Sequence, residues 1–143
     1  VSGDLSHRFP DVDPRDPAAI LAAARAAIDG RLVFTTSFGL EDQVITHLIA
    51  EAGLAIDIAT IDTGRLFTET YEVWARTEER YRLRIRSVNP DAEGLAALVS
   101  AQGVNGFYGS VAARKACCET RKVMPLGRLL AGASAWVTGL RAD

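Results

Sequence analysis

Between Leu32 and Ala52 the chain changes hydrophobic period within a few residues, and that change limits the folds open to it. Leu32-Val33-Phe34 is an apolar, partly β-branched run suited to a strand buried on both faces, whereas Val44, Ile45, Leu48, Ile49 and Ala52 recur at helical spacing. A strand must therefore meet a helix across a short polar turn. At such a junction Ser, Thr and Gly let the backbone bend sharply, and the first amides of the helix point outward, where an anion can be held. The same residues also make a plain helix start, since Glu41 and Asp42 in a first turn suit the helix dipole without any ligand.

Gly53 ends that helix and Ile56 to Ile61 forms a second apolar run. Strand, helix and strand of these lengths predict a right-handed crossover with parallel strands. Both strands then deliver their carboxyl ends to one edge, where open α/β sheets bind ligands. At that edge stands Ile61-Asp62-Thr63-Gly64. Asp62 and Thr63 offer short polar groups for a sugar, and Gly64 permits close backbone approach; a purely structural turn is the alternative.

The remaining segments extend the same alternation. Residues 1–15 are polar and Pro-bearing and read as a loosely held arm. Asp16-Pro17 reads as an N-cap followed by Pro at the first helical position, with Gly30 as the stop. Phe67 to Arg80 carries Phe67, Tyr71, Trp74 and Ala75 at helical spacing, which predicts an amphipathic helix with its aromatics in the core. Tyr81 to Arg86 alternates strictly and predicts a strand with arginines on a solvated face or charged edge. Asn89-Pro90 opens another helix holding Leu95, Leu98 and Val99, and Ala133 to Thr138 is a last strand. The expected architecture is α/β, a doubly wound parallel sheet, in one domain spanning residues 16–143.

Composition narrows the function. A net charge of −2 gives no general attraction for nucleic acid or anionic lipid. No run of about 18 apolar residues and no basic-then-apolar leader is visible, so the expectation is a soluble, cytoplasmic protein with no membrane partner. Within this acidic chain, Ser110 to Leu130 gathers Arg114, Lys115, Arg121, Lys122 and Arg128 against one acid, Glu119. Such a local cluster suits an anionic ligand, although a solvated helix has the same look. Pro125 is expected to start a second helix there. Cys117 and Cys118 are the two cysteines, and a bridge between neighbours would staple nothing, which leaves metal binding, redox chemistry or packing. On a helix they share a side with Arg114. His47 lies off the apolar face of its helix with no second ligand at zinc spacing, and His7 has no partner in sequence. A Walker-type lysine loop, a dinucleotide Gly-x-Gly-x-x-Gly and a nucleophile elbow are all absent.

Four stretches then combine. Ser37-Phe38-Gly39-Leu40-Glu41-Asp42-Gln43-Val44, Ile61-Asp62-Thr63-Gly64, Cys117-Cys118-Glu119-Thr120-Arg121-Lys122-Val123-Met124-Pro125-Leu126 and Trp136-Val137-Thr138-Gly139-Leu140-Arg141 resemble, in order, landmarks of the assimilatory adenylyl-sulfate and phosphoadenylyl-sulfate reductases. The resemblance implies the adenine nucleotide α-hydrolase-like fold with a modified PP-loop. It implies that Thr36, Ser37, Phe38, Gly39, Leu40, Glu41 and Asp42 cradle the nucleotide. The Ile61 and Gly139 backbones would meet adenine, with Asp62, Thr63, Gly64 and Arg141 in the same binding set, and Lys122 would stabilise charge on the leaving phosphate. In the branch that uses adenosine 5′-phosphosulfate, a Cys-Cys pair and a later Cys-x-x-Cys hold a [4Fe-4S] cluster, so Cys117 and Cys118 imply that branch. The implied reaction is attack of a cysteine thiolate on the sulfate sulfur, expulsion of AMP, and release of sulfite by thioredoxin or a related thiol donor.

Two family features are missing. There is no Glu-Cys-Gly-x-His segment with the nucleophilic cysteine and no later Cys-x-x-Cys, and the chain begins with Val1 and ends at Asp143. The expectation is thus a C-terminally truncated product, the nucleotide-binding part with two of four cluster ligands, inactive alone. Thr68 also stands where the family often has Pro. Two chains pooling four cysteines in a homo-oligomer is a further arrangement left open. The rival readings are a phosphoadenylyl-sulfate reductase, a PP-loop ATP pyrophosphatase, against which the missing Ser-Gly-Gly-x-Asp-Ser counts, and a non-catalytic nucleotide-binding module.

Overall fold

Asp16 starts the first helix as its place before Pro17 requires. In the computed structural model, which describes residue 9 and residues 11–140, its carboxylate accepts the Ala19 N–H at 3.0 Å, and α1 runs Pro17–Ala27. Most of the arm and His7 lie outside the described residues. Beyond α1 the chain forms β1 (Leu32–Thr35), α2 (Leu40–Glu51), β2 (Asp57–Ile61), α3 (Thr68–Tyr81), β3 (Arg86–Val88) and α4 (Ala92–Gln102). It continues through a short 3-10 turn (Gly106–Tyr108), α5 (Val111–Cys118), a π turn (Glu119–Val123), α6 (Met124–Leu130) and β4 (Ala135–Val137). The strand order is β3-β2-β1-β4, and the β1–β4 and β2–β3 pairs are parallel. Successive strands step one way from β1 to β3 and the chain then returns to the other side of β1, which is the winding of a doubly wound α/β sheet.

The chain divides into two compact units, one drawn from the part up to Ile58 together with Ala133 onward, the other Ala59–Gly132. In the first, Leu32, Val33 and Phe34 are buried at 0–1% exposure, as an apolar run in a parallel strand should be. Their register against β4 is Leu32 to Ala135, Val33 to Trp136 and Phe34 to Val137. The inner face of α2 differs from the apolar pattern. Its buried residues are Asp42, Thr46 and Ile49, whereas Val44 is exposed. Thr46 tolerates full burial because its hydroxyl donates to the Asp42 carbonyl at 2.8 Å, so the helix satisfies its own polar group.

The second unit corrects three more expectations. The buried side of α3 is centred on Thr77, and Phe67 and Tyr71 are exposed. The helical period is right, but the aromatics do not set its inner face. Tyr81 is the last residue of α3 and no strand begins there; Arg82 closes the helix in the left-handed region at φ 53°, and β3 starts only at Arg86. Glu78 accounts for the shift. Its carbonyl accepts the Leu83 N–H and its carboxylate accepts the Ile85 N–H at 2.8 Å and the Arg84 guanidinium at 3.1 Å, which diverts residues 82–85 from the sheet. The alternation itself is real, since Ile85 is buried between exposed Arg84 and Arg86. Asp91, not Asn89, caps α4 through the Gly94 N–H.

Arg25 holds the end of α1 in place. Its guanidinium donates to the carbonyls of Ile28, Gly30 and Ala55 at 2.5, 3.0 and 3.1 Å, a planar fork that an ammonium cannot copy. Arg25→Ala should destabilise the chain by about 2 kcal/mol, the scale of charge-assisted hydrogen bonds, with Arg25→Lys restoring less than half. Urea midpoints at constant m-value measure both.

Candidate functional site

The turn between β1 and α2 is built around one carboxylate. Four residues must carry the chain from a buried strand into a helix, and Phe38 takes the left-handed region at φ 66°, an uncommon conformation for a bulky residue. Local hydrogen bonds hold it there. The Thr36 hydroxyl oxygen accepts the Phe38 N–H at 3.0 Å, and Asp42 accepts both the Ser37 N–H at 2.6 Å and the Ser37 O–H at 2.7 Å on a single carboxylate oxygen. Thr36 and Asp42 are buried, while Ser37, Gly39 and Leu40 are exposed. Asp42 sits in the first turn of α2, where the helix dipole favours its charge, and the N-cap residue, Gly39, has no side chain to cap that helix. Two of the expected nucleotide-cradling side chains, Thr36 and Asp42, thus shape the turn, and the backbone of Phe38 to Leu40 forms its outer part.

Gly139 approaches the same carboxylate. It follows β4, the partner of β1 at the point where the strand order reverses, and a Cβ added to Gly139 would overlap the Asp42 carboxylate. Only a glycine fits between the end of β4 and the head of α2. Ligands of open α/β sheets bind outside the carboxyl ends of strands at such a reversal. The structure therefore brings Thr36 to Asp42 and Gly139 together, and Trp136 ties β4 to β1 nearby through an indole N–H donated to the Thr35 hydroxyl at 2.9 Å. Arg141 lies outside the described residues.

In the second unit, Ile61-Asp62-Thr63-Gly64 leaves the end of β2 as a tightly held turn. Asp62 accepts the Gly64 N–H and the Tyr71 O–H, each at 2.8 Å, and Thr63 accepts the Arg65 N–H on its hydroxyl at 3.2 Å. Gly64 adopts φ 71°, which excludes ordinary side chains. Arg121 reaches the turn from the π segment and donates to the Thr63 carbonyl at 2.7 Å.

The cationic cluster divides by task. Arg121 is buried on the Thr63 carbonyl and Arg128 donates to the Asn89 carbonyl, whereas Arg114, Lys115 and Lys122 are exposed. Pro125 stands in the first turn of α6, as expected of a helix start. α5, the π turn and α6 follow without a break, and the widened turn places the Met124 N–H on the Glu119 carbonyl, five residues back. In a regular α-helix the ring of Pro125 would press on the carbonyl of Arg121, four residues before it, so the sequence signal for the distortion was the proline itself. Cys117 is half-buried and Cys118 exposed at the end of α5, both as free thiols. Thiolates are the right donors for an iron–sulfur cluster, but among the described residues no three His, Cys, Asp or Glu side chains group as metal ligands. The chain's own donor set fits in kind and falls short in number. Also among the described residues, no helix is long and apolar enough to cross a membrane.

Two side chains that organise the second unit's turn escaped the sequence pattern: Tyr71, read as core, and Arg121, read as one cation among five. The hydrogen bond to Asp62 raises the Tyr71 phenol above its usual value, helped by burial and by the carboxylate's charge. Its contact with Asp62 is therefore complete below pH about 10 and is lost as pH rises through the raised value. A spectrophotometric titration should show one of the three tyrosines ionising later than an ordinary phenol, and Asp62→Asn should abolish the lag.

Comparison with known proteins identifies the family. The profile of the phosphoadenosine phosphosulfate reductase domain matches residues 31–143. A protein of Agrobacterium fabrum named adenosine 5′-phosphosulfate reductase is 52% identical over 116 residues, covering 81% of this chain and 45% of the relative. One of the same name from Allochromatium vinosum is 53% identical over 112 residues, covering 78% and 44%. The chain thus spans less than half the length of these relatives. Among solved structures, the phosphoadenylyl-sulfate reductase of Candida auris in its phosphate complex superposes with a TM-score of 0.81 at 23% identity, covering all of this chain and 71% of that one, a likeness of fold. The chain belongs to the phosphoadenosine phosphosulfate reductase domain family.

Proposed function

We propose that this chain is the nucleotide-binding part of an assimilatory adenylyl-sulfate reductase, which converts adenosine 5′-phosphosulfate to sulfite and AMP with thioredoxin or a related thiol donor as reductant. The observation that carries the reading is the Asp42-braced turn against Gly139 at the reversal of strand order, where a helix start and two strand ends offer backbone to an anionic ligand. Relatives named for adenosine 5′-phosphosulfate at 52–53% identity favour that substrate over the 3′-phosphorylated one.

The chain's own residues bind and orient. Asp42 and Thr36 fix the turn, occupying both donors of Ser37 and the Phe38 N–H, so that the exposed backbone of Gly39 and Leu40 faces the phosphosulfate without reorganisation, which lowers the cost of binding. The Gly139 and Ile61 backbones contribute to adenine recognition, and Asp62, Thr63 and Gly64 to the rest of the nucleoside. Lys122 supplies a compact positive charge that stabilises the leaving AMP phosphate as the sulfur–oxygen bond breaks. Cys117 and Cys118 would supply two of the thiolate ligands of a [4Fe-4S] cluster. Bound there, the cluster would act as a fixed electrostatic element beside the π turn, the electrons coming from the thiol donor. The exposure of Lys122 and Cys118 supports these two roles.

Calorimetric titration with adenosine 5′-phosphosulfate, AMP and ATP tests the assignment. Adenosine 5′-phosphosulfate and AMP should bind more tightly than ATP; a preference for ATP would point to pyrophosphatase chemistry instead. Asp42→Ala, which strands the Ser37 N–H, and Gly139→Ala, which crowds the carboxylate, should each weaken AMP binding by about tenfold or more.

A further inference from the structure

Arg121 is placed where a guanidinium is costly. It sits in the middle of the π turn with 9% of its surface exposed; Nη1 donates to the Thr63 carbonyl, and Nε is buried with no hydrogen-bond partner among the described residues. Burying a charge on a neutral carbonyl, with one donor unused, recovers only part of its lost hydration. A well-packed apolar side chain would serve stability at least as well there. What an apolar residue lacks is a donor for Thr63.

That donor completes the turn. Asp62 and Thr63 use their side chains on Gly64, Tyr71 and Arg65; of those bonds only the Gly64 N–H donated to Asp62 holds the Thr63–Gly64 peptide, and it holds the amide side, which leaves the carbonyl side open. Arg121 takes that carbonyl, and its Nη1 lies 3.5 Å from the position a Cβ on Gly64 would occupy. π turns recur at functional sites, and this one delivers a side chain across 58 residues of sequence to a candidate binding turn. We propose that Arg121 is a positioning residue: it holds the Thr63–Gly64 peptide in the shape that binds the nucleoside, and does not itself contact the anion. This rests on the nucleotide reading above.

The test uses Arg121→Met, which removes the donor, and Arg121→Lys, which keeps one of similar reach. Amide hydrogen exchange is followed at Gly64 and Arg65 in the ligand-free chain, and affinity is measured for neutral adenosine and for AMP. Arg121→Met should speed exchange at Gly64 and Arg65 by about tenfold, leave α2 protection unchanged, and weaken adenosine and AMP by the same factor, with Arg121→Lys recovering most of each. A loss confined to AMP would mean that Arg121 touches the anion, and unchanged exchange at Gly64 would mean that it does not hold the turn; either overturns the proposal. If the unsubstituted chain binds neither adenosine nor AMP, the nucleotide reading fails, and the exchange data alone decide whether Arg121 holds the turn. Should Arg121→Met not fold, Arg121→Gln, whose shorter donor cannot reach as far, takes its place: faster exchange at Gly64 than in the unsubstituted chain supports the clamp, and unchanged exchange contradicts it.

Discussion

The Asp42 carboxylate is the constraint from which the candidate site follows. One oxygen accepts both donors of Ser37, which pins the turn after β1 to the head of α2, and Phe38 is thereby held in a conformation it would otherwise avoid. The helix dipole and the two hydrogen bonds together compensate the charge for its burial. Because that carboxylate fills the space beside β4, the chain there has to be glycine. A residue that sequence reading places among the ligand contacts is better understood as the brace that shapes them.

Much of the fold was legible because its signals were local. Leu32 to Phe34 and Ile56 to Ile61 read as buried strands, and Asp16-Pro17 as a helix start, since each depends on a few adjacent residues. The misreadings of the inner faces of α2 and α3 share one cause, polar side chains that satisfy themselves inside the core. Thr46 and Thr77 donate to carbonyls of their own helices and take inward positions that an apolar count assigns to Val44 or Tyr71. Glu78 likewise collects the chain after α3 by accepting from residues 83–85, a role invisible to alternation.

The site was legible in its motifs and illegible in its division of labour. Glu41-Asp42 signals a helix start and Asp62-Thr63-Gly64 a turn, but nothing in spacing tells that Asp42 faces inward to Ser37 or that Tyr71 and Arg121 brace the second turn. Those contacts span 5, 9 and 58 residues, and the longest runs through a π turn whose only sequence mark is Pro125. In both units polar side chains shape backbone, and the backbone so shaped is what remains to meet a ligand.

The central claim, that the Asp42-braced turn and Gly139 receive the nucleotide, is tested most directly by following backbone amide resonances of the chain during titration with AMP. The largest shifts should fall on residues 36–42 and on Gly139, saturating together. Shifts concentrated at residues 103–111, with residues 36–42 and Gly139 unmoved at saturation, would contradict it.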